Sequence, residues 1–122
     1  MVIPYARQSI SEQDLNAVAE VLQSDYLTQG PVVPAFEDAV AQLVGAKYAV
    51  AGNSATSMLH VACLALGVTA GDLVWTSPNS FVASANCALY CGAEIDFVDI
   101  DSETFNMSPV ALAAKLELAK KS

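Results

Sequence analysis

The apolar segments between Lys47 and Asp101 alternate between two periods, and this order is the strongest constraint on the fold. Three short runs, KYAVAG, LVWTSP and EIDFVDID, are typical of strands. Two longer alanine-rich runs separate them and are typical of buried helices, NSATSMLHVACLALG and NSFVASANCALYCG. Strand, helix, strand, helix, strand predicts an α/β fold with parallel strands and right-handed crossover helices.

Two helices outside this region have recognisable starts. Ser11 and Asp14 form a capping-box pattern ahead of apolar residues at helical spacing, which predicts a helix from Ser11 to Gln23. The final segment, SPVALAAKLELAKK, places Pro109 in the first turn and lysines in the last, the arrangement that the helix dipole favours. Both segments are therefore predicted to be helical.

A further helix is predicted from Phe36 to Leu43, where apolar residues recur at helical spacing and Gly45 follows as a C-cap. The preceding segment contains Pro31 and Pro34, which are unfavourable inside a helix. That segment is predicted to be a loop of about ten residues.

Composition narrows the classes of function. Hydrophobic residues make up 54 % of the 122 residues and charged residues 15 %, which argues against disorder and against a coiled coil. Thirteen acidic and five basic side chains give a net charge of −8, which opposes binding to nucleic acid. The N-terminus lacks an apolar signal core, and no apolar run is long enough to span a membrane. A cytoplasmic protein with no nucleic-acid or membrane partner is expected.

The three cysteines fit no disulfide or metal pattern. Cys63, Cys87 and Cys91 are odd in number, contain no CxxC pair and lie in apolar stretches, so free buried thiols are expected. Cys87 and Cys91 are four residues apart and could share a helix face, but a thiolate metal site would need two further ligands. No metal site is predicted.

The first candidate binding site is the segment GNSATS, residues 52–57, between the first predicted strand and the next helix. Amides at a helix start, with small neighbours and hydroxyl groups, form an anion site. Asn53 or Ser54 could instead simply cap the helix. Both interpretations stay open from these residues, and the Rossmann and P-loop motifs are absent.

The second candidate is the segment from Thr76 to Phe81, at the carboxyl end of the second predicted strand, where open α/β sheets bind ligands. Phe81 could cover a planar ring or pack in the core. His60 lies in an apolar helix and is interpreted as a core residue rather than a ligand. The acidic residues that leave the third predicted strand are interpreted as its solvated end, namely Asp96, Asp99 and Asp101.

Five stretches together resemble one family: IPYARQSI, LTQGPVVPAFE, GAKYAVAGNSATSMLH, SPNSFVASANCALYCGAEIDFVDID and TFNMSP. They are similar, in order and spacing, to the N-terminal third of the DegT/DnrJ/EryC1/StrS sugar aminotransferases. The resemblance implies the N-terminal part of the large domain of a fold-type I transferase that uses pyridoxal 5′-phosphate. It also implies two parts, residues 1–35 with a helix and a substrate-side loop, and residues 36–122 as a partial cofactor-binding domain.

The resemblance also implies roles for individual residues. The amides of Ala55 and Thr56, with the Thr56 hydroxyl and the neighbouring Ser54, would bind the cofactor phosphate, and Phe81 would stack on its pyridine ring. Four residues would border the nucleotide-sugar site: Tyr5, Arg7, Thr28 and Gln29. The combination of LTQGP with NSATSMLH is most similar to the pseudaminic acid branch, in which glutamate donates an amino group to the 4-keto position of a nucleotide-linked deoxysugar.

One part of the family pattern is missing. In the family, the lysine that carries the cofactor and the carboxylate that protonates its ring nitrogen lie beyond residue 122. None of the lysines here matches that motif, namely Lys47, Lys115, Lys120 and Lys121. The chain alone is therefore expected to be inactive, and its parent to be a homodimer. The alternative is a small non-enzymatic α/β module that associates with itself or with a full-length relative through exposed apolar surface.

Overall fold

The computed structural model describes residues 3–120, which form two compact units. The first unit reaches Ala51 and contains two helices, and the second begins at Gly52 and contains three helices and a two-stranded sheet. The predicted division at residues 35 and 36 falls inside the second helix of the first unit, and the roles assigned to its two parts stay predictions.

The first unit contains α1 (Glu12–Leu22) and α2 (Val32–Val44). The predicted capping box is confirmed, because the Ser11 hydroxyl accepts from the Asp14 amide at 3.3 Å and the Asp14 carboxylate accepts from the Ser11 amide at 2.7 Å. The Ser11 amide, and after it the Ser11 hydroxyl, which donates to the same carboxylate at 2.8 Å, hold the pKa of Asp14 below its usual range.

The start of α2 corrects the prediction. The helix begins at Val32 rather than Phe36, and Pro34 lies within its first turn. A proline is tolerated there because the first amides of a helix have no intrahelical acceptor. The predicted end is confirmed, since Gly45 is left-handed, with φ 68°, and closes the helix.

The expected first strand, KYAVAG, is also wrong. Residues 47–52 form no ladder with any strand in the described part of the chain. A strand requires backbone hydrogen bonds to a neighbour, which apolar composition cannot supply. The Ala51 amide donates instead to the Glu37 carboxylate, at 2.7 Å.

The second unit follows the order α3 (Ala55–Ala65), β1 (Leu73–Thr76), α4 (Ala83–Tyr90), β2 (Glu94–Phe97) and α5 (Pro109–Ala119). β1 and β2 pair in parallel, which confirms the α/β fold with parallel strands. β2 is four residues shorter at its carboxyl end than predicted, and an isolated antiparallel bridge joins Ile100 to Met107. α4 begins at Ala83, four residues later than the predicted helix.

The core of the second unit lies around α4. This helix packs against α3 and both strands, and the buried residues described in the unit belong to it or follow it. They are small: Ala83, Ala85, Cys87, Ala88, Ala93 and Val98. Small side chains allow the helix to approach its neighbours closely.

The opposite face of the sheet carries Trp75 and Asp96, which are register partners on β1 and β2. Lys115 of α5 pairs with the Asp96 carboxylate, and its Nζ lies 5.4 Å from the centre of the Trp75 ring. The indole N–H of Trp75 is buried and has no acceptor within residues 3–120. Thr76 and Phe97, which follow Trp75 and Asp96 on the two strands, line a groove with residues of α4. Since side chains alternate along a strand, α4 and Lys115 lie on opposite faces of the sheet.

Candidate functional site

The first candidate site lies at the amino end of α3, and Ser54 caps it. The Ser54 backbone is extended, with φ −161° and ψ 152°, and its hydroxyl accepts from the Ser57 amide at 3.1 Å. Its carbonyl accepts the first intrahelical bond, from the Met58 amide at 3.1 Å. The capping interpretation of Ser54 is therefore confirmed.

Two further amides at this end remain available. Within the described residues, the amides of Ala55 and Thr56 donate to no protein acceptor. Ala55 is exposed and Thr56 is half-buried, so this end of the helix is open to solvent. Free amides and the positive end of the helix dipole favour an anion here, and the Ser54 cap leaves both amides free for one.

Gly52 permits a close contact just before this helix. A Cβ on Gly52 would collide with the Met58 thioether, whose sulfur lies directly against the glycine. The half-buried Met58 side chain therefore fills the space beside Gly52. This contact fixes the approach of the chain to the helix start.

Phe81 lies on the segment 77–82, between β1 and α4. Phe81 is 72 % exposed, so it does not pack in the core of residues 3–120. It borders an open groove of about 190 Å³ at the carboxyl ends of both strands, lined also by Thr76, Ser77, Ser80, Ser84 and Phe97. The Ser80 and Ser84 hydroxyls are hydrogen-bonded to each other at 2.9 Å.

The two candidate sites are on neighbouring helices. α3 and α4 pack against each other, and Phe81 lies two residues before α4. The groove beside Phe81 is lined by residues between Thr76 and Phe97, and the start of α3 is not part of its lining. Sequence reasoning missed Ser84 and Phe97 as groove residues, although the i, i+4 spacing from Ser80 could have indicated Ser84.

The four predicted sugar-site residues all belong to the first unit. Tyr5 and Arg7 are exposed and precede α1. Thr28 and Gln29 lie between α1 and α2 and line a cavity of about 150 Å³ with Tyr26 and Gly30. Gln29 has a positive φ of 54°, and a Cβ on Gly30 would lie 2.6 Å from the Cβ of Tyr26. Their role in binding a sugar stays a prediction.

The three thiols are free: Cys63 lies on α3, Cys87 lies on α4, and Cys91 is the C-cap of α4. The expected burial is confirmed for Cys87 and is wrong for Cys63 and Cys91, which are half-buried. Partial burial, together with the neighbouring Cys87 and Cys91 thiols, raises the pKa of Cys63, which makes this thiol a weak nucleophile. In the part of the chain that the structure describes, no three His, Cys, Asp or Glu side chains form a metal-binding group.

The other polar candidates have local roles. His60 is half-buried and packs edge-on against the Tyr90 ring, with centroids 5.3 Å apart. Asp96 pairs with Lys115, and the Asp101 carboxylate organises the loop that follows β2. Hydrogen bonds from the backbone and side chain of Thr104 hold the pKa of Asp101 below its usual range.

The chain matches one protein-family model over almost its whole length. Residues 8–122 match the family model described as the DegT/DnrJ/EryC1/StrS aminotransferase family. The chain belongs to this family. The resemblance inferred from the five sequence stretches is thereby confirmed.

Curated relatives in the DegT/DnrJ/EryC1/StrS family match nearly the whole chain. A spore coat polysaccharide biosynthesis protein, SpsC, of Bacillus subtilis is 44 % identical over 112 residues, covering 92 % of this chain and 29 % of the relative. A UDP-4-amino-4,6-dideoxy-N-acetyl-beta-L-altrosamine transaminase of Campylobacter jejuni is 40 % identical over 115 residues, covering 94 % and 30 %. The chain therefore spans about 30 % of the length of these relatives.

Solved structures of the DegT/DnrJ/EryC1/StrS family share the fold. The PLP form of a sugar aminotransferase, Spr1654, of Streptococcus pneumoniae superimposes with a TM-score of 0.87 at 29 % identity, covering 92 % of this chain and 29 % of that one. PseC of Helicobacter pylori, an aminotransferase of pseudaminic acid biosynthesis, has a TM-score of 0.85 at 35 % identity, covering 91 % and 30 %. These likenesses confirm the N-terminal part of this aminotransferase fold. No helix within residues 3–120 has the length and apolar content to cross a membrane.

Proposed function

We propose that this chain carries the cofactor-phosphate site and the ring-stacking wall of a nucleotide-sugar aminotransferase that uses pyridoxal 5′-phosphate. The observation that carries the proposal is the pair of available amides at Ala55 and Thr56, on a helix that packs against the helix following the exposed Phe81. The family is one of aminotransferases, and the sugar aminotransferase Spr1654 has been solved in its PLP form.

The chain's own residues fit a phosphate ester. The Ala55 and Thr56 amides would donate to phosphate oxygens, and the Thr56 hydroxyl would add a third donor. Ser54 would orient these amides by holding the first turn of α3 through Ser57. The free donors and the exposed end of the helix are the features of the structure that fit the group.

Phe81 would hold the plane of the pyridine ring. Its exposed phenyl group can stack on a flat ring, restrict the ring's rotation and keep water from one of its faces. When bound, pyridoxal phosphate supplies an electron sink that stabilises negative charge next to the amine nitrogen. A ring held in one plane would keep that electron sink aligned with the reacting bond.

For the whole protein we propose transfer of an amino group from glutamate to the 4-keto carbon of a nucleotide-linked deoxysugar, in the cytoplasm, by a homodimer. The pseudaminic acid branch is the proposed pathway, supported by the Campylobacter and Helicobacter relatives. Four residues of the first unit are proposed to contact the sugar nucleotide: Tyr5, Arg7, Thr28 and Gln29.

The 122 residues alone are proposed to be inactive. Lys115 is bound to Asp96 and to the Phe97 carbonyl, and Lys120 is bound to Glu117 at 2.7 Å. Lys47 lies over the Tyr48 ring, 5.0 Å from its centre. None of these three amines lies on α3 or in the groove beside Phe81. Each would have to leave its present contacts to react with a cofactor.

The decisive experiment measures binding of pyridoxine 5′-phosphate and of pyridoxine by equilibrium dialysis. Both lack the aldehyde, so neither can attach covalently to surface lysines, and they differ only in the phosphate. We expect the phosphate ester to bind and pyridoxine to bind at least about tenfold more weakly, because charge-assisted hydrogen bonds carry the affinity. Equal binding of both compounds, or no binding of either, would overturn the proposal.

A second candidate function, self-association without catalysis, is favoured by the exposed apolar side chains. Leu43, Leu66 and Val110 are 86 %, 83 % and 80 % exposed. Exposed apolar surface of this kind is commonly covered by a partner. Sedimentation equilibrium distinguishes the cases, since a monomer at micromolar concentration would exclude stable self-association.

A further inference from the structure

Asn79 connects the segment that carries Phe81 to a distant loop. Its side-chain Nδ2 donates to the backbone carbonyl of Phe105, at 3.2 Å, across 26 positions of the sequence. The carbonyl can only accept, so the amide nitrogen of Asn79 is the donor. The hydrogen bond therefore depends on a donor at position 79.

The loop around Phe105 is held in place by several hydrogen bonds of its own. The Asp101 carboxylate accepts from the Glu103 amide at 3.1 Å and from the Thr104 amide at 2.9 Å. The Phe105 amide donates to the Asp101 carbonyl at 2.9 Å, and the Asp101 amide donates to the Asn106 carbonyl at 2.8 Å. Phe105 itself is left-handed, with φ 59°. A non-glycine residue persists in this conformation only when its surroundings hold it there.

The segment 77–82 has few other constraints. Its remaining hydrogen bonds are local: the Asn79 amide donates to the Ser77 hydroxyl at 3.3 Å, and the rest reach no further than the first turn of α4. Within residues 3–120, the Asn79–Phe105 contact is the one hydrogen bond that joins this segment to a residue beyond α4. Phe81 is 72 % exposed, so packing does not fix its ring either.

We propose that Asn79 is a positioning residue, which holds the segment 77–82 against the loop at Phe105 so that Phe81 stands where a pyridine ring can stack on it. This inference rests on the proposed function, because it assumes that Phe81 contacts the cofactor ring. Asn79 does not itself contact the cofactor. Its side-chain amide holds the backbone of the segment 77–82 against the loop that Asp101 organises, and this in turn positions Phe81.

The chain offers a matched control for Asn79. Asn106 is the same residue type, adjoins Phe105, and its side chain makes no hydrogen bond among the described residues. Asn106→Ala therefore removes the same chemical group without breaking the contact. Asn79→Ala removes the donor, and Asn79→Asp keeps the shape of the side chain but places an acceptor opposite the carbonyl.

The first measurement needs no ligand and uses backbone amide order parameters from NMR relaxation. For Ser80 and Phe81 we expect a fall from about 0.85, the value of rigid backbone, toward about 0.6 in both Asn79 variants. Asn106→Ala is expected to leave these values unchanged. Unchanged order parameters in the Asn79 variants would overturn the proposal.

The second measurement is the affinity of each variant for pyridoxine 5′-phosphate and for inorganic phosphate. Both Asn79 variants are expected to bind pyridoxine phosphate about fivefold more weakly and inorganic phosphate as the wild type does, because only the ring contact is disturbed. Equal affinity for pyridoxine phosphate despite a mobile segment would also overturn the positioning role. If the wild type binds no pyridoxine phosphate, the proposed function fails, while the order parameters still decide whether Asn79 holds the segment.

Discussion

Lys115 Nζ donates a hydrogen bond to the backbone carbonyl of Phe97, at 2.6 Å, and so ties α5 to the end of β2. The same ammonium group pairs with Asp96 and lies over Trp75. One side chain therefore joins the last helix to both strands of the sheet. Its side chain is only 23 % exposed, whereas the Lys120–Glu117 pair lies largely in solvent.

Lys115→Met should destabilise the second unit by about 1 kcal/mol, because the aliphatic stem stays and the hydrogen bond to the carbonyl is lost. Lys120→Met is the control and should change stability by less than about 0.5 kcal/mol, as expected of an exposed pair. Urea unfolding followed by the fluorescence of Trp75, the single tryptophan, measures both. An equal effect of the two variants would contradict the assigned role of Lys115.

Low pH should reduce the stability of the fold, in part because Asp96 becomes protonated. The Lys115 side chain and the Phe97 amide hold the pKa of Asp96 below its usual range. A carboxyl whose folded pKa is lowered stabilises the fold above its unfolded pKa, about 3.9, and this stabilisation is lost as the pH falls through the folded value. We expect the urea midpoint of Lys115→Met to fall less than that of the wild type below about pH 4. Parallel pH profiles would show that Asp96 and Lys115 are not linked.

Ala55→Pro should weaken phosphate binding without destabilising α3. Proline is tolerated in the first helical turn, and the extended backbone of Ser54 is the conformation that a following proline requires. The variant loses one amide donor, so affinity for pyridoxine 5′-phosphate should fall about fivefold or more with little change in the melting temperature. Thr56→Val, which keeps its amide, should have the smaller effect. Wild-type affinity in Ala55→Pro would exclude this amide from the site.

Replacing Phe81 should affect ring binding and leave the fold intact. Phe81→Leu removes the aromatic face and should weaken pyridoxine 5′-phosphate binding by about three- to tenfold, the usual range for one aromatic contact. Phe81→Tyr should bind as the wild type does. Both variants should unfold at the wild-type urea concentration, because the side chain is 72 % exposed. A loss of stability in Phe81→Leu would indicate a packing role instead.

The elements predicted most accurately are those determined by neighbours in the sequence. Ser11 with Asp14, the cap offered at Asn53 or Ser54, and Pro109 at the start of α5 are all local signals, and the structure has a helix start at each. KYAVAG was predicted wrongly because pairing depends on a distant strand, which an apolar pattern cannot identify. The start of α2 was missed because Pro34 was treated as a helix breaker, although the first turn tolerates it.

In the candidate site, too, the features set by neighbouring residues could be predicted and those set by distant residues could not. The helix-start amides could be predicted, because a small-residue turn before an apolar helix specifies them locally. The exposure of Phe81 could not, since it depends on where the segment 77–82 lies against the sheet. The contact of Asn79 with Phe105 joins residues 26 positions apart, and their sequence spacing carries no signal of it.

α4 packs against α3 and against both strands, and its buried alanines make it a thin helix. Ala83, Ala85 and Ala88 leave almost no accessible surface, so an added methyl group there has no free volume to enter and must push the helix outward. Phe81 precedes this helix by only two residues and would be carried along. The size of the side chains at Ala83 and Ala88, which lie outside the groove lining, thus also affects where the phenyl ring stands relative to the sheet.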